Sequence, residues 1–506
     1  MMKTTLSLAL AVCTLVAAAP AFGAGGREAA SAQPATLQFA LSGNPNTLDP
    51  HATAGTLTFQ VLRSVYDTLV EPDESGRIVP ALAESWGVSA DGLHWTFHLR
   101  SGVQFHNGDE FTSKDVVATF ARLRDPGRAS THAAEFAAVT AVEALDRYTV
   151  QFSLERPHAP LLSALASGWS AILPQRLIAN GHDFGGSPVG TGPFVFEQWM
   201  RDNRITLSRN ERYWIEGQPA VARVNFNIIT EVAVQVQGLL TGDLHIIDMV
   251  GPTDIARIER NPATRLDTGL SSLVMVMAIN TRRPPLSDVR IRRALNHAVD
   301  KQTILDVAYA GGRPIGTFMD AGDPFALDLA HLHPHDPERA RALIREAGGV
   351  NRVLDLVLPQ NFEPHVRAGE MYQQMLAQAG IEAQIRLVDW STWLSDVYGA
   401  ANFDLTVIGH TGKLDPDGRF SLFETDRNYV GWSHPEIPRL LQAARLESEF
   451  AGRREYFAEI QRLLAEEVPF VFVGTNYRFI AMRETIHGFH MDGKLDTYDL
   501  RRVRFR

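Results

Sequence analysis

Between residues 336 and 408 the hydrophobic period switches repeatedly between helical and strand spacing, and this alternation constrains the fold more than any other feature. Asp336-Pro337-Glu338 reads as an N-cap, a proline at the first helical position and an acid in the first turn. That helix should end at Ala347-Gly348, where glycine supplies the stop. A strand at 353–358 follows, then a helix near 365–379, a strand near 381–387, a short helix near 391–398 and a strand at 403–408. Strand and helix in alternation imply an α/β domain over roughly 271–475. Asp288 to about Ala308 carries apolar residues at helical spacing and is expected to be one helix.

The earlier half reads differently. Segments 93–99, 148–154 and 224–229 alternate apolar and polar residues and are rich in aromatic or β-branched side chains, so they read as strands. Asp91-Gly92 and Asn107-Gly108 carry the type I′ hairpin signal, and Thr191-Gly192-Pro193 a tight bend before a strand. Ser113 is the expected N-cap of a helix through Val116, Phe120 and Leu123.

Of the 506 residues, the first 21 read as a secretory signal peptide: a lysine at Lys3, an apolar run over 6–16 and the small-x-small pattern Ala19-Pro20-Ala21. The lone cysteine, Cys13, sits in that run, and Val12 before it does not suit lipoprotein processing. The chain after the leader is then expected to form no disulfide and to bind no metal through thiolate. Residues 22–35 read as a disordered tail. No other apolar run approaches the roughly 20 residues of a membrane span. Lys and Arg number 48 against 58 Asp and Glu, a net charge of −10, which argues against nucleic acid as a partner.

The sequence lacks the motifs HExxH, CxxC, G-x-S-x-G and S-x-x-K. Gly190-Thr191-Gly192 has no third glycine, and Gly412-Lys413 runs into Leu414, so neither a dinucleotide fingerprint nor a P-loop is present. The tract His331-Leu332-His333-Pro334-His335 is a metal suspect, read here as a polar loop before the Asp336 helix. No catalytic residue, metal or cofactor is expected.

Three groups of motifs carry a resemblance. The first is Tyr66-Asp67-Thr68-Leu69-Val70 with Pro80-Ala81-Leu82-Ala83-Glu84-Ser85-Trp86 and the run Asp91 to Gly108. The second is Pro188-Val189-Gly190-Thr191-Gly192-Pro193-Phe194 with Leu239-Leu240-Thr241-Gly242-Asp243. The third is Asp288-Val289-Arg290-Ile291-Arg292-Arg293-Ala294-Leu295 with Ala298-Val299-Asp300-Lys301. In this order they resemble the extracytoplasmic solute-binding proteins of family 5, the dipeptide, oligopeptide, nickel and opine receptors of ABC importers. The resemblance implies an α/β, periplasmic-binding-protein type II-like fold: two lobes closing over a solute, with an additional domain inserted in the first. By analogy lobe I is 36–62, 186–270 and 476–506, the insert 63–185 and lobe II 271–475. Glu84, Arg100 and His106 are then structural or surface residues.

The resemblance also implies a monomeric periplasmic receptor, not an enzyme, that delivers a small peptide-like solute to an inner-membrane permease. A nickel-chelate or opine receptor is the alternative within the class, and a secreted hydrolase the alternative outside it. The solute contacts carried over are Gly55 and Thr56 from lobe I, and Trp390, His410, Thr411, Gly412, Lys413 and Asp415 from lobe II. Peptide receptors commonly hold an aspartate near Lys413, where it takes the peptide's ammonium. A lysine cannot do so. Either Lys413 binds an anionic group, or Asp415 takes the ammonium and Lys413 points to solvent.

Overall fold

The 14-residue strand Phe470–Arg483 ties the molecule together. Its first residues pair with Val274–Ile279, and its later ones with Thr264–Leu270 and Ile246–Ile247, all antiparallel. A register shift opposite Met275 and Val276 marks the passage between the two stretches. In this computed structural model, which describes residues 36–506 apart from 54, 75, 129, 131, 361 and 493–496, the result is one 12-stranded sheet. The expected leader, Cys13 and the tail 22–35 lie outside the described residues.

On one side of Phe470–Arg483 stand Val274–Ile279, Leu405–His410, Leu354–Pro359 and the edge strand Ala383–Val388. The last three run parallel. Parallel neighbours need a crossover, and helix Glu363–Gln378 supplies one between Leu354–Pro359 and Ala383–Val388. Val274–Ile279 is buried at all six positions because each face of the sheet has its own core. Val274, Val276 and Ala278 face Phe318, Phe423 and Phe470, while Met275, Met277 and Ile279 face Leu295, Leu356 and Tyr372.

On the other side stand Ile246–Ile247, Thr36–Leu41, Arg223–Ile228, Arg204–Arg209 and Phe194–Met200. Leu37, Phe39 and Leu41 join a core with Phe226 and Tyr498, and Ala40 a smaller one with Val236 and Leu239. A separate four-stranded antiparallel sheet, in the order Ala83–Val88, His94–Leu99, Thr149–Leu154, Val139–Asp146, packs on helix Ser113–Leu123. Phe152 meets Phe97 and Phe120 edge to face there, at 5.6 and 4.9 Å between ring centroids.

Local signals were honoured to different degrees. The Asp336 helix runs Pro337–Glu346; its cap accepts from the Arg339 amide at 2.9 Å, and Gly348 takes a φ of 90°. The expected 288–308 helix is instead two, Val289–Ala298 and Lys301–Ala308, because Val299 is extended and Asp300 caps a new start by accepting from the Thr303 amide. The N-cap near Ser113 is Thr112, closed by a capping box with Asp115. Neither hairpin is a two-residue type I′ turn. Ser89 and His94 close a longer loop whose Asp91 carboxylate accepts from the Leu93 amide, and Phe105 pairs with Asp109 around three residues. Gly190 and Gly192 pass so near Val65 that a Cβ would meet its carbonyl oxygen at 2.2 and 2.6 Å, which explains both glycines.

Candidate functional site

Where Phe470–Arg483 passes from one set of neighbours to the other, Ser271 stitches it to the adjacent segment. Ser271 N–H donates to the Asn476 carbonyl at 3.0 Å, and its hydroxyl bonds Asn476 Oδ1 at 2.6 Å. Over this crossing lies a cavity of about 1000 Å³, lined by Ser271, Leu273, Asn476 and Tyr477 among others.

One wall is the loop after strand Leu405–His410. Thr411, Gly412, Lys413 and Asp415 line the cavity. Asp415 gives both carboxylate oxygens to the Arg453 guanidinium at 2.8 and 2.9 Å, and each side chain is 9% exposed. Arg453 itself is held by the Ala444 carbonyl. Asp417 is likewise bridged by Arg445, at 2.6 and 3.2 Å, and Arg445 reaches on to Glu424. These pairs fix the loop. Between them Lys413 is exposed, its stem lying along Gly418, and it pairs with no carboxylate among the described residues.

His410 lies beneath this wall and does not line the cavity. Its Nε2 bonds the Tyr429 hydroxyl at 2.8 Å and its ring packs edge-on against Phe318. Burial, with Arg419 nearby, drives its pKa down to about 3, so it is neutral. Trp390 is also outside the cavity: it stacks on Trp393 at 5.0 Å and meets Phe362 edge to face. The tryptophan that enters the core is Trp393, whose indole N–H donates to Thr406 Oγ1. The segment is one α turn, Trp390–Thr392, followed by the π-helix Trp393–Gly399.

The opposite wall brings Thr56 but not Gly55. The Gly55 amide is spent on Thr53 Oγ1 at 2.9 Å, and its carbonyl accepts from the first turn of helix Thr56–Leu62. It therefore has no backbone donor left for a solute. Asp248 lines this wall, held by the Ser42 amide and hydroxyl and by Gln235; burial raises its pKa. Arg478 beside it bonds the Tyr498 hydroxyl at 2.7 Å.

A third stretch comes from residues 132–169. His132 stacks on Trp169 with centroids 4.0 Å apart and planes 2° from parallel, and Phe59 stands edge-on to both. Glu135 and His158 line the same stretch. Sequence reasoning found none of these, nor Asp248, because no local pattern separates them from ordinary loop and core residues.

Glu84, Arg100 and His106 have structural partners. Arg100 bonds the Ala81 carbonyl and lies over Trp214, with Glu84 3.7 Å away, and His106 bonds the Gly192 carbonyl. In the histidine tract, His333 bonds the Ala465 carbonyl and His335 stands 3.7 Å from Asp300. Among the described residues no three His, Cys, Asp or Glu side chains are grouped to hold a metal, and no helix is long and apolar enough to cross a membrane.

The family model for bacterial extracellular solute-binding proteins, family 5 Middle, matches residues 77–430. The chain is 30% identical to di/tripeptide-binding protein 2 of Pseudomonas aeruginosa UCBPP-PA14, over 94% of this chain and 96% of that one. It is 32% identical to di/tripeptide-binding protein 4 of the same strain, over 96% and 95%. Among solved structures, the periplasmic binding protein AgaA from A. tumefaciens R10, in complex with agropinic acid, superposes with a TM-score of 0.76 at 29% identity, covering 93% of this chain and 99% of that one. Mixed α/β architecture, a cavity at a strand crossing and these matches agree: the chain belongs to the bacterial extracellular solute-binding proteins of family 5, which are two-lobe binding proteins and not enzymes.

Proposed function

We propose that this chain is the periplasmic receptor of an ABC importer: it encloses a small peptide-like solute, breaks no bond and hands the solute to an inner-membrane permease. The signal-peptide pattern at 1–21 supports export, and the di/tripeptide-binding relatives support the solute class. Segments 36–62, 186–270 and 476–506 act as one lobe and 271–475 as the other. They close about the crossings at 271–273 and 475–476, with 63–185 as the insert. The receptor works as a monomer.

The observation that carries this reading is the cavity of about 1000 Å³, which draws its wall from all three pieces. Pockets of roughly 300–1,000 Å³ suit small ligands. Of the two readings of the 411–418 loop, the Asp415–Arg453 pair favours the first. Asp415 is committed to structure, so the loop offers the solute one unpaired charge, Lys413, and the solute carries an anionic group there. An opine-like acid is the second reading, favoured by the same lysine and by the likeness to AgaA.

A thermal-shift panel of acidic, neutral and basic dipeptides, opines and metal chelates tests it. Ligand at about 100 times its Kd adds about 2.7 kcal/mol to stability. A panel in which no dipeptide raises the melting temperature overturns the peptide reading.

A further inference from the structure

With Asp415 paired and Lys413 the one unpaired charge of the 411–418 loop, a zwitterionic solute needs another acceptor for its cation. Each carboxylate lining the cavity can be checked for spare capacity. Asp415 is spent on Arg453, Asp417 on Arg445, and Asp248 on Ser42 and Gln235. Glu135 differs. It stands on the turn Ala133–Phe136, pinned by the buried Phe136, with its own side chain 36% exposed. Its one side-chain hydrogen-bond partner among the described residues is His132 Nδ1, at 3.2 Å.

His132 Nε2 lies 3.0 Å from the Thr53 carbonyl, which can only accept, so the Nε2–H donates there. Nδ1 faces one oxygen of the Glu135 carboxylate, with which no arginine or lysine pairs among the described residues. The other carboxylate oxygen of Glu135 has no partner among the described residues, and the group lies beside the stacked His132–Trp169 rings and Phe59. An ammonium supplies N–H donors for that free oxygen, and a positive charge for carboxylate and aromatic faces.

We propose that Glu135, with the Trp169 ring beside it, is a cation subsite that takes the solute's ammonium, so that the solute lies with its acidic end on Lys413 and its amino end on the 132–169 stretch. The proposal rests on the peptide reading and adds polarity: the solute's amino end is read by the small-sheet region and not by the 411–418 loop.

A ligand–protein double cycle tests it, with Leu-Glu and N-acetyl-Leu-Glu as probes measured by calorimetry on the full chain and on Glu135→Gln. Acetylation should weaken binding to the unaltered chain by about tenfold to a hundredfold, the worth of one charge-assisted hydrogen bond. In the Glu135→Gln chain Leu-Glu should fall by a similar factor while N-acetyl-Leu-Glu holds within about twofold, which also shows that the variant is folded. Leu-Glu affinity unchanged in the variant, or both probes weakened equally, overturns the subsite and leaves the peptide reading standing. No binding of Leu-Glu to the unaltered chain overturns the proposed polarity and the subsite with it, and the peptide reading also falls if no dipeptide of the thermal-shift panel binds.

Discussion

The 411–418 loop and the 132–169 stretch both present carboxylates to the same cavity, yet they treat them in opposite ways. In the loop, each acid is clamped by an arginine in a two-point pair, Asp415 by Arg453 and Asp417 by Arg445, and the one free charge is Lys413. In the 132–169 stretch Glu135 meets, among the described residues, no guanidinium and only an imidazole nitrogen. A carboxylate near a ligand cavity is therefore not a ligand group by position. What decides is whether the fold has already supplied partners for both of its oxygens.

Acid should strain both sides at once. His158 lines the cavity and is held down to a pKa of about 4, chiefly by burial; His410 beneath the loop sits at about 3, His51 at about 3, and His106 and His365 at about 4. The folded-state pKa is depressed, so below about pH 6.5 the unfolded chain takes up protons that the folded chain refuses. Stability is complete above that pH and falls as pH drops toward 4, by on the order of 1–2 kcal/mol per histidine between pH 7 and 5. Guanidinium midpoints at the two values measure it; equal midpoints would show that these rings already ionise in the folded state.

The contrast between paired and unpaired charge predicts a division of labour. Arg453→Met strands a buried Asp415 carboxylate and should cost about 3–5 kcal/mol of unfolding free energy. If Asp415 were instead a ligand group, the substitution would spare stability and alter affinity. Lys413→Ala should do the reverse: Leu-Glu binds about 10- to 100-fold more weakly by calorimetry, with the ligand-free melting temperature unchanged. A drop in melting temperature with affinity intact would make Lys413 structural. The smallest effect is expected at His410→Phe, which removes the bond to Tyr429 and should cost about 1–2 kcal/mol of stability while leaving affinity within about twofold.

How much of this could be read in the chain depends on the range over which each signal acts. The Asp336 helix was legible because its cap, its proline and its glycine stop all lie within one short segment. The motifs that pointed to the family are likewise local, and so is the anomaly at Lys413. The roles of Asp415 and Gly55 were not legible. Arg453 is 38 residues from Asp415, and the Gly55 amide is consumed by a threonine hydroxyl that no motif marks. Trp390 and Trp393 differ by a rotation about the helix axis, and the π-helix after Thr392, with its wider turn, changes which side chains face the core. The Glu135–His132–Trp169 cluster joins residues up to 37 positions apart through ring stacking, for which a sequence carries no period.

One consequence follows from the crossing. Ser271, between Thr264–Leu270 and Val274–Ile279, is bonded to Asn476 of Phe470–Arg483, and both line the cavity. On the proposed motion, the residues that bend are neighbours of the solute itself. A captured molecule would press on the pivot directly, with no relay of packed side chains between grip and movement. Substitutions at the crossing would then change how fast the receptor lets go as readily as how tightly it holds.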